Sequence, residues 1–252
     1  MPHFIYLAEA KSTNSSMAQC AAELPDASVL YTYRQTQGRG QKGNSWESEP
    51  EKNLAFSFLL KNPAIAPSRQ FFISEAVSIA VAETLSRYVP EDISIKWPND
   101  IYYRDQKLCG ILIENALSGS HIAHAIIGVG INVNQERFLS DAPNPVSLKN
   151  ITGRHFDLDA LLHEVNEGIE HLTRFSLATE ASLQALHSRY IGLLYRANGL
   201  PHRWQLPDGT IFSGTIVNVQ PDGLLLIRHE PSGEIGKYYF KEVKHVINQH
   251  IL

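Results

Sequence analysis

The chain has 252 residues, 43% of them hydrophobic and 19% charged, which fits a folded protein with one large domain and a small appendage. Its formal net charge of −4 argues against nucleic acid or an anionic membrane as a general partner. Two cysteines, no export leader and no apolar run of about 20 residues predict a reduced, cytoplasmic protein that does not span a membrane.

The first quarter of the chain is predicted to contain a short helix, two strands and a long loop. STNSSMAQCAAEL begins with cap-forming residues, so Ser12 or Thr13 is predicted to cap a helix whose first N–H groups are free. SVLYTYRQ and NLAFSFLL are predicted strands, and GRGQKGNSWESEPEKN between them is a predicted long loop, where function is often found. One face of the second strand carries Leu54, Phe56, Phe58 and Leu60.

The middle of the chain is predicted to be a helix followed by several strands. RQFFISEAVSIAVAETLSRY has apolar residues at helical spacing and neither Gly nor Pro, which predicts a helix. ISIKW is a predicted strand that ends at Pro98, and IYYRD with KLCGILIEN predicts a hairpin around Asp105 and Gln106. AHAIIGVGINVN is predicted to be a buried strand that ends in Asn132 and Asn134.

The last part of the chain changes from helical sequence patterns to patterns typical of β-strands. A helical apolar stripe begins at Phe156, and ASLQALHSRYIGLL predicts a second helix. After Gly199, three short β-like runs alternate with Pro-Asp-Gly and Pro-Ser-Gly turns, which predicts a small β-barrel over residues 199–252. The stripe consists of Leu158, Leu161, Leu162, Val165, Ile169 and Leu172.

The loop sequence GRGQKG matches G-x-G-x-x-G, but its context does not fit a dinucleotide fingerprint. No helical pattern follows the third glycine, and Asn44 after Gly43 also excludes a P-loop. There remains a flexible loop with two cations, Arg39 and Lys42, whose backbone N–H groups can approach a phosphate closely. In isolation, a solvated connection is the more common interpretation of such a loop.

Two lysines in KWPNDIYYRDQKLCG are candidates for one charged cleft. Lys96 and Lys107 flank a turn and a hairpin, and we expect them to converge with Asn99 and Asp100. Lysine suits a phosphate or a developing oxyanion, and Asp100 could orient a lysine or help to hold Mg²⁺. The alternative is that both lysines are exposed charges at strand ends.

Glycines within the predicted strands indicate a place where the sheet needs room. Gly110, Gly128 and Gly130 could accommodate a flat ligand, or they could mark a bulge or a close strand contact. Asn132 could read a purine edge through its amide, or it could simply end the strand. The sequence has no HExxH, CxxC or G-x-S-x-G pattern, so we expect no structural metal and no serine or thiol nucleophile.

Five motifs occur along the chain from residue 12 to about residue 134: STN, GRGQKGNSW, KWPNDIYY, KLCGILIE and GVGINVN. In their order and approximate spacing, these motifs resemble those of biotin–protein ligases. KWPND followed by K-x-x-G-I-L is the most specific part. The resemblance implies an α/β (α+β) fold. A class II synthetase-like catalytic domain, with helices packed on a mixed or antiparallel sheet, would occupy residues 1–198, and a C-terminal SH3-like β-barrel would occupy residues 199–252.

The implied activity is ATP-dependent formation of biotinyl-5′-AMP and transfer of biotin to a lysine of a biotin carboxyl carrier protein, part of a biotin-dependent carboxylase. The resemblance implies that Lys107 and Arg39 are catalytic and that Lys107 contacts both the biotin carboxylate and the phosphate. The STN residues would bind the ureido group, Gln35 would support the carboxylate end, and the strand glycines would leave room. The implied biotin-binding residues are Ser12, Thr13, Asn14, Gln35, Arg39, Gly40, Gln41, Lys107, Gly110, Gly128 and Gly130.

ATP would bind beside biotin, under the glycine loop. The resemblance implies that this loop folds over the acyl-adenylate as a lid and that Asp100 is a ligand of Mg²⁺. Cations and Mg²⁺ would offset the repulsion between the biotin carboxylate and the phosphate. The implied ATP-binding residues are Arg39, Lys42, Trp46, Asn99, Asp100, Lys107 and Asn132.

Two departures from the family pattern affect what we expect of this chain. Many members have arginine where this chain has Gln41 and Asn44, so its lid carries less positive charge. Eleven residues precede STN, too few for the DNA-binding helical domain of some relatives, so we expect no repressor function. The expected partner is the carrier protein, with no DNA and no membrane, and the expected state is a monomer or a weak homodimer.

Two other functions remain open at this stage. A lipoate or octanoate transferase has a similar catalytic domain, but its acyl group lacks the ureido ring, and the STN triplet with KWPND favours biotin. A non-catalytic module could use the terminal β-domain to bind a peptide or RNA, although the net acidity of the chain argues against RNA. Binding of biotin alone would distinguish this module from a ligase.

Overall fold

A mixed seven-stranded sheet is the centre of the fold in the computed structural model, which describes residues 3–89, 91–140 and 143–247, except the side chain of Lys42. In chain order, the first nine strands are β1 (Phe4–Tyr6), β2 (Val29–Thr32), β3 (Gly38–Arg39), β4 (Ser45–Trp46), β5 (Leu54–Lys61), β6 (Ile93–Lys96), β7 (Asp100–Tyr103), β8 (Gln106–Ser118) and β9 (His121–Ile131). The sheet has the order β1-β2-β5-β9-β8-β7-β6, while β3 and β4 pair separately. Only β1 and β2 run parallel, so the predicted mixed sheet is confirmed.

Strand β5, which lies inside the sheet between β2 and β9, is buried on both faces because helices cover both sides of the sheet. Alternation in LAFSFLLK sends its large apolar residues, among them Phe56 and Phe58, into the main core, which confirms the predicted face. Leu59 points the other way and packs with Met17 in a smaller second core. The strand therefore separates the main core from the face on which the site lies.

Five α-helices pack around this sheet within the described residues: α1 (Thr13–Cys20), α2 (Phe71–Ser86), α3 (Leu148–Thr152), α4 (Leu158–Phe175) and α5 (Glu180–Leu193). The predicted helix α2 is confirmed; it is apolar on nearly every side because it lies between the sheet, α4 and α5. Helix α4 buries its predicted stripe except for Leu158, which is partly exposed, and its N-cap Asp157 accepts a hydrogen bond from the Ala160 N–H at 3.0 Å.

The described end of the chain forms a five-stranded antiparallel sheet, compatible with the predicted SH3-like barrel. Its strands are β10 (His202–Gln205), β11 (Ile211–Val219), β12 (Leu225–Glu230), β13 (Ile235–Tyr238) and β14 (Lys244–His245). The side chain of Trp204, in this sheet, is fully buried. The three predicted runs, TIFSGTIVNV, LLLIRHE and IGKYYFKEV, contain β11, β12 and β13, whereas β10 and β14 were not predicted. The domain boundary at residues 198 and 199 stays a prediction.

Contacts between the two sheets place the terminal strands beside the KWPND turn. The Trp97 indole donates to the Gly223 carbonyl at 3.0 Å, and its ring packs edge-on against Phe240. On another side, the His187 imidazole lies 2.8 Å from buried Glu75 and 2.9 Å from Asn218 of β11. The Glu75 hydrogen bond raises the pKa of His187, and burial raises that of Glu75.

Three details of the predicted elements need correction. The segment predicted as one long loop contains the short pair β3 and β4, in which Gly38 faces Trp46. The hairpin turn is centred on Arg104 and Asp105, because Tyr103 already pairs with Gln106. Ser12 is the N-cap of α1, but its side chain makes no cap hydrogen bond.

No described helix has both the length and the apolar character needed to cross a bilayer.

Candidate active site

A cavity of about 580 Å³ lies between the outer face of the sheet, the start of α1, the glycine loop and the KWPND turn. These segments are up to about a hundred positions apart in the sequence, and the fold places them side by side around the cavity. The side chain of Lys42 lies outside the described residues, so its predicted contact stays untested. The other predicted residues that line the cavity are Ser12, Thr13, Asn14, Gln35, Arg39, Gly40, Gln41, Trp46, Asn99, Asp100, Lys107, Gly110, Gly128, Gly130 and Asn132.

One end of the cavity, here called the amide end, is lined by Ser12, Thr13, Asn14 and Gln35 and is supported by Ser57. Asn14 is 3% exposed, and its Oδ1 accepts a hydrogen bond from the Ser57 hydroxyl at 2.7 Å. The Thr13 N–H donates to Gln35 Oε1 at 3.0 Å, so this helix N–H is not free, contrary to the prediction. Gln35 thus satisfies the first backbone N–H of the helix, one of those that have no partner within the helix itself.

The glycines of β8 and β9 form a floor, although much of the room they leave is used by protein side chains. A Cβ at Gly128 would lie 2.2 Å from Asn14 Oδ1. A Cβ at Gly130 would lie 2.6 Å from the Trp46 ring, and one at Gly110 would lie 2.9 Å from it. The glycines are therefore required for close approach of these side chains, which sit on the floor. The Trp46 Nε1 is buried and has no hydrogen-bond partner.

The opposite end, here called the cation end, contains Lys107, Asp100, Lys96 and Arg39. Lys107 Nζ lies 2.6 Å from Asp100 Oδ2 and 5.7 Å from the centre of the Trp46 ring. Burial lowers the pKa of Lys96, partly offset by Asp100, and its ammonium donates to Tyr102 at 3.1 Å. The two lysines thus converge as predicted and place positive charge in a partly desolvated cleft.

The glycine loop covers this end of the cavity and is held by two side-chain contacts. Arg39 donates to Glu114 Oε2 at 2.8 Å, and Gln41 Nε2 donates to Asn99 Oδ1 at 3.1 Å. The Arg39 side chain is 44% exposed, so its ion pair contributes little stability. These contacts can be exchanged for others at low cost.

Asn132 follows β9 and contributes a polar atom to the wall. Its Nδ2 donates to the carbonyls of Lys107 and Val146, at 3.3 and 3.1 Å. Its Oδ1 is buried and has no partner, so it is an acceptor suited to an N–H donor of a bound molecule. Asn134, the second asparagine, instead pairs with the backbone of Phe156 and is structural.

Sequence reasoning missed three residues that build or support the site, namely Ser57, Glu114 and Phe240. Ser57 could have been found, because it is the one hydroxyl in the apolar strand run LAFSFLL. Glu114 ends the quoted motif KLCGILIE but was given no role, and Phe240 gave no signal, since their contacts depend on strand register and on the placement of the terminal sheet. In the described part of the chain, no group of three or more His, Cys, Asp or Glu side chains is arranged to hold a metal ion.

The model of the biotin/lipoate A/B protein ligase family matches residues 6–132, which is half of the chain and includes most of the cavity wall. The chain belongs to this family. Among curated members, it is 32% identical over 133 residues to the bifunctional ligase/repressor BirA of Salmonella typhimurium, a match covering 53% of this chain but 41% of BirA. It is 29% identical over 168 residues to the biotin–[acetyl-CoA-carboxylase] ligase of Paracoccus denitrificans, covering 62% of this chain and 67% of that enzyme.

The family fold extends beyond the matched half. The biotin protein ligase of Aquifex aeolicus, solved in complex with biotin and ATP, superposes with a TM-score of 0.77 at 26% identity. That superposition covers 97% of this chain and 99% of the Aquifex chain, so it includes the terminal β-sheet. The predicted fold class is therefore confirmed for both parts of the molecule.

Proposed function

We propose that this protein uses ATP to convert biotin to biotinyl-5′-AMP and then transfers the biotinyl group to a lysine of a carrier protein. The observation that carries the proposal is the placement of Lys107, paired with Asp100, across a glycine floor from the buried amide end. The floor joins a polar recognition site to a cationic one within one cavity. Such a site suits a small acid that must be brought against a phosphate.

The amide end supports biotin as the acid. Asn14 Oδ1 and the hydroxyls of Ser12 and Thr13 offer hydrogen-bonding atoms on a largely buried wall. A cyclic urea carries two N–H donors and one carbonyl acceptor, and it matches such a set, whereas an aliphatic acyl chain would offer these polar atoms no hydrogen bond. The curated relatives described above include a biotin ligase, which points in the same direction.

The cation end supports the first chemical step. A biotin carboxylate oxygen attacks the α-phosphorus of ATP, a P–O bond forms, and pyrophosphate leaves. Two anions must approach each other, and the ammonium of Lys107 and the guanidinium of Arg39 would stabilise the charge that gathers between them. We assign both residues this catalytic role and assign Asn132 and Trp46 to the adenosine.

Mg²⁺ would supply further charge neutralisation at the phosphates when bound. Asp100 fits as a ligand in part, because it lies at the cation end but its Oδ2 already contacts Lys107. Nucleotide-bound Mg²⁺ often takes one or two protein carboxylates and completes its shell with phosphate oxygens and water. One carboxylate from this chain is consistent with that coordination, and Asn99 beside it would help to order the phosphates.

In the second step, the amine of the acceptor lysine attacks the acyl carbon, an amide forms and AMP leaves. We propose a biotin carboxyl carrier domain as the acceptor and a monomer or weak homodimer as the working state. A net charge of −4 gives no general attraction to DNA or membranes. The two free cysteines, one of them fully buried, are consistent with a cytoplasmic location.

Incubation of the purified protein with ATP, Mg²⁺, biotin and a biotin acceptor domain should add one biotinyl group to the acceptor, measured by intact-mass spectrometry. An acceptor in which arginine replaces the target lysine should stay unmodified. Absence of transfer in the complete mixture would contradict the proposal. Transfer of lipoate in place of biotin would assign the chain to the other branch of the family.

A further inference from the structure

Glu114 lies beside the cavity, on the same face of β8 as Gly110, at a point where contacts from both ends of the site meet. Its Oε2 accepts a hydrogen bond from Asn14 Nδ2 at 2.8 Å and another from Arg39 at 2.8 Å. The residues that line the cavity include Asn14 and Arg39 but not Glu114. One carboxylate oxygen therefore contacts both the amide end and the glycine loop without itself facing the cavity.

The partners of Asn14 determine which way its amide points. The Leu112 carbonyl, at 3.2 Å from Nδ2, and the Glu114 carboxylate can only accept hydrogen bonds, so both require the NH₂ group on their side. Ser57 can donate or accept and would tolerate either orientation. Glu114 thus helps to keep Asn14 Oδ1 over Gly128 and the cavity, as an acceptor for an N–H donor.

We infer that Glu114 is a positioning residue for biotin recognition, which fixes the Asn14 amide as an acceptor and holds Arg39 of the loop through the same oxygen. The inference rests on the proposed function and deepens it. A flipped Asn14 amide would present NH₂ groups to the ligand's N–H groups, two donors facing each other. Glu114 therefore acts on ligand choice through Asn14, since its own side chain does not line the cavity.

Loss of this carboxylate should not unfold the protein. The Glu114 and Arg39 side chains are 39% and 44% exposed, so their ion pair is screened by water and contributes little to stability. A matched control is Glu83, which pairs with Arg189 at 2.6 Å with both side chains 45% exposed and which lies outside the cavity wall. Its pairing has the same chemistry without the link to Asn14.

The test is isothermal titration of biotin, without ATP, into wild-type protein, E114Q, E114A and E83Q. We expect Kd to rise about threefold in E114Q, which keeps a weaker neutral acceptor, and about tenfold in E114A, which keeps none. E83Q should match the wild type. In steady-state transfer assays, KM for biotin should rise in E114A by more than kcat falls, which a loss of folded enzyme would not produce.

A double-mutant cycle tests whether Glu114 acts through Asn14. In an N14A background, E114A should change the biotin Kd by less than about twofold, because the amide that it positions is gone. An unchanged Kd in E114A, or an equal loss in the wild-type and N14A backgrounds, would overturn the inference. Failure of the wild-type protein to bind biotin would instead contradict the proposed function itself, and with it the positioning role.

Discussion

The two ends of the cavity differ in how far they are prepared for a ligand. At the amide end, Ser12, Asn14 and Ser57 are 5% exposed or less, and Asn14 is held by hydrogen bonds to Leu112 of β8 and Ser57 of β5. At the cation end, Lys107 and Asp100 are about a quarter exposed, and their charges are paired with each other. The first end is preorganised, whereas the second must exchange its internal partners for those of a ligand.

This difference indicates separate functions for the two ends. A rigid polar wall selects one shape of small molecule, because mismatched polar atoms there stay unpaired at a cost. Exposed charged groups that can change partners suit a reaction in which negative charge moves between a carboxylate, a phosphate and a leaving group. Substitutions at the amide end should therefore affect binding, and those at the cation end should affect rate.

The largest effect is expected from Lys107→Ala. Removing a positive charge from the place where negative charge gathers costs about 3 kcal/mol, or about 10²-fold in rate. Formation of biotinyl-AMP in a rapid-quench experiment should slow by that factor, while biotin binding without ATP changes much less. Lys149→Ala is a matched control, because Lys149 is 30% exposed, similar to the 29% of Lys107, and pairs with Glu136 outside the cavity. A K107A rate equal to that of K149A would remove Lys107 from the mechanism.

An intermediate effect is expected from Gly128→Ala. The added Cβ would lie 2.2 Å from Asn14 Oδ1, so the amide must move and loses its hydrogen bonds. A lost hydrogen bond at a buried group costs about 1–3 kcal/mol, so biotin Kd should rise roughly tenfold to a hundredfold. In the control Gly192→Ala, the new Cβ meets no atom within 4 Å, and affinity should be unchanged. Wild-type affinity in G128A would show that the amide end is not rigid.

The smallest effect is expected from Gln41→Arg. Gln41 makes one neutral hydrogen bond to Asn99, and an arginine there would offer a charge-assisted bond to phosphate. Release of pre-formed biotinyl-AMP should slow by roughly twofold to fivefold. Labelling of a bystander albumin, which reports escaped adenylate, should fall in parallel. Equal release rates in the two proteins would mean that other groups of the loop hold the phosphate.

Regular periodicity made much of the fold predictable from sequence. Helix α2 follows from apolar spacing without Gly or Pro, and β5 follows from alternation in LAFSFLLK. The short pair β3 and β4 was missed, because two-residue strands in a glycine-rich loop carry no periodic signal. Strand β10 was missed for a similar reason, since HRWQ follows a proline and has one large apolar residue between polar ones.

The candidate site was predictable where a motif is local and unpredictable where a contact depends on distant strands. Lys107 and Asp100 lie seven positions apart around one hairpin, so their convergence could be expected. Glu114 meets Asn14 across a hundred positions, and only the register of β8 beside β9 brings it there. Gly130 does leave room above the sheet, as predicted, but the Trp46 ring occupies that room.

Trp46 also gives the molecule an optical property. Its indole lies on the glycine floor, between the two ends of the cavity and 5.7 Å from the Lys107 ammonium. Of the other two tryptophans, Trp204 is buried in the terminal sheet, and Trp97 lines the cavity at the KWPND turn, next to Phe240. Any molecule that settles on the floor changes the polarity around the Trp46 ring, so its emission colour and brightness give a label-free signal of occupancy.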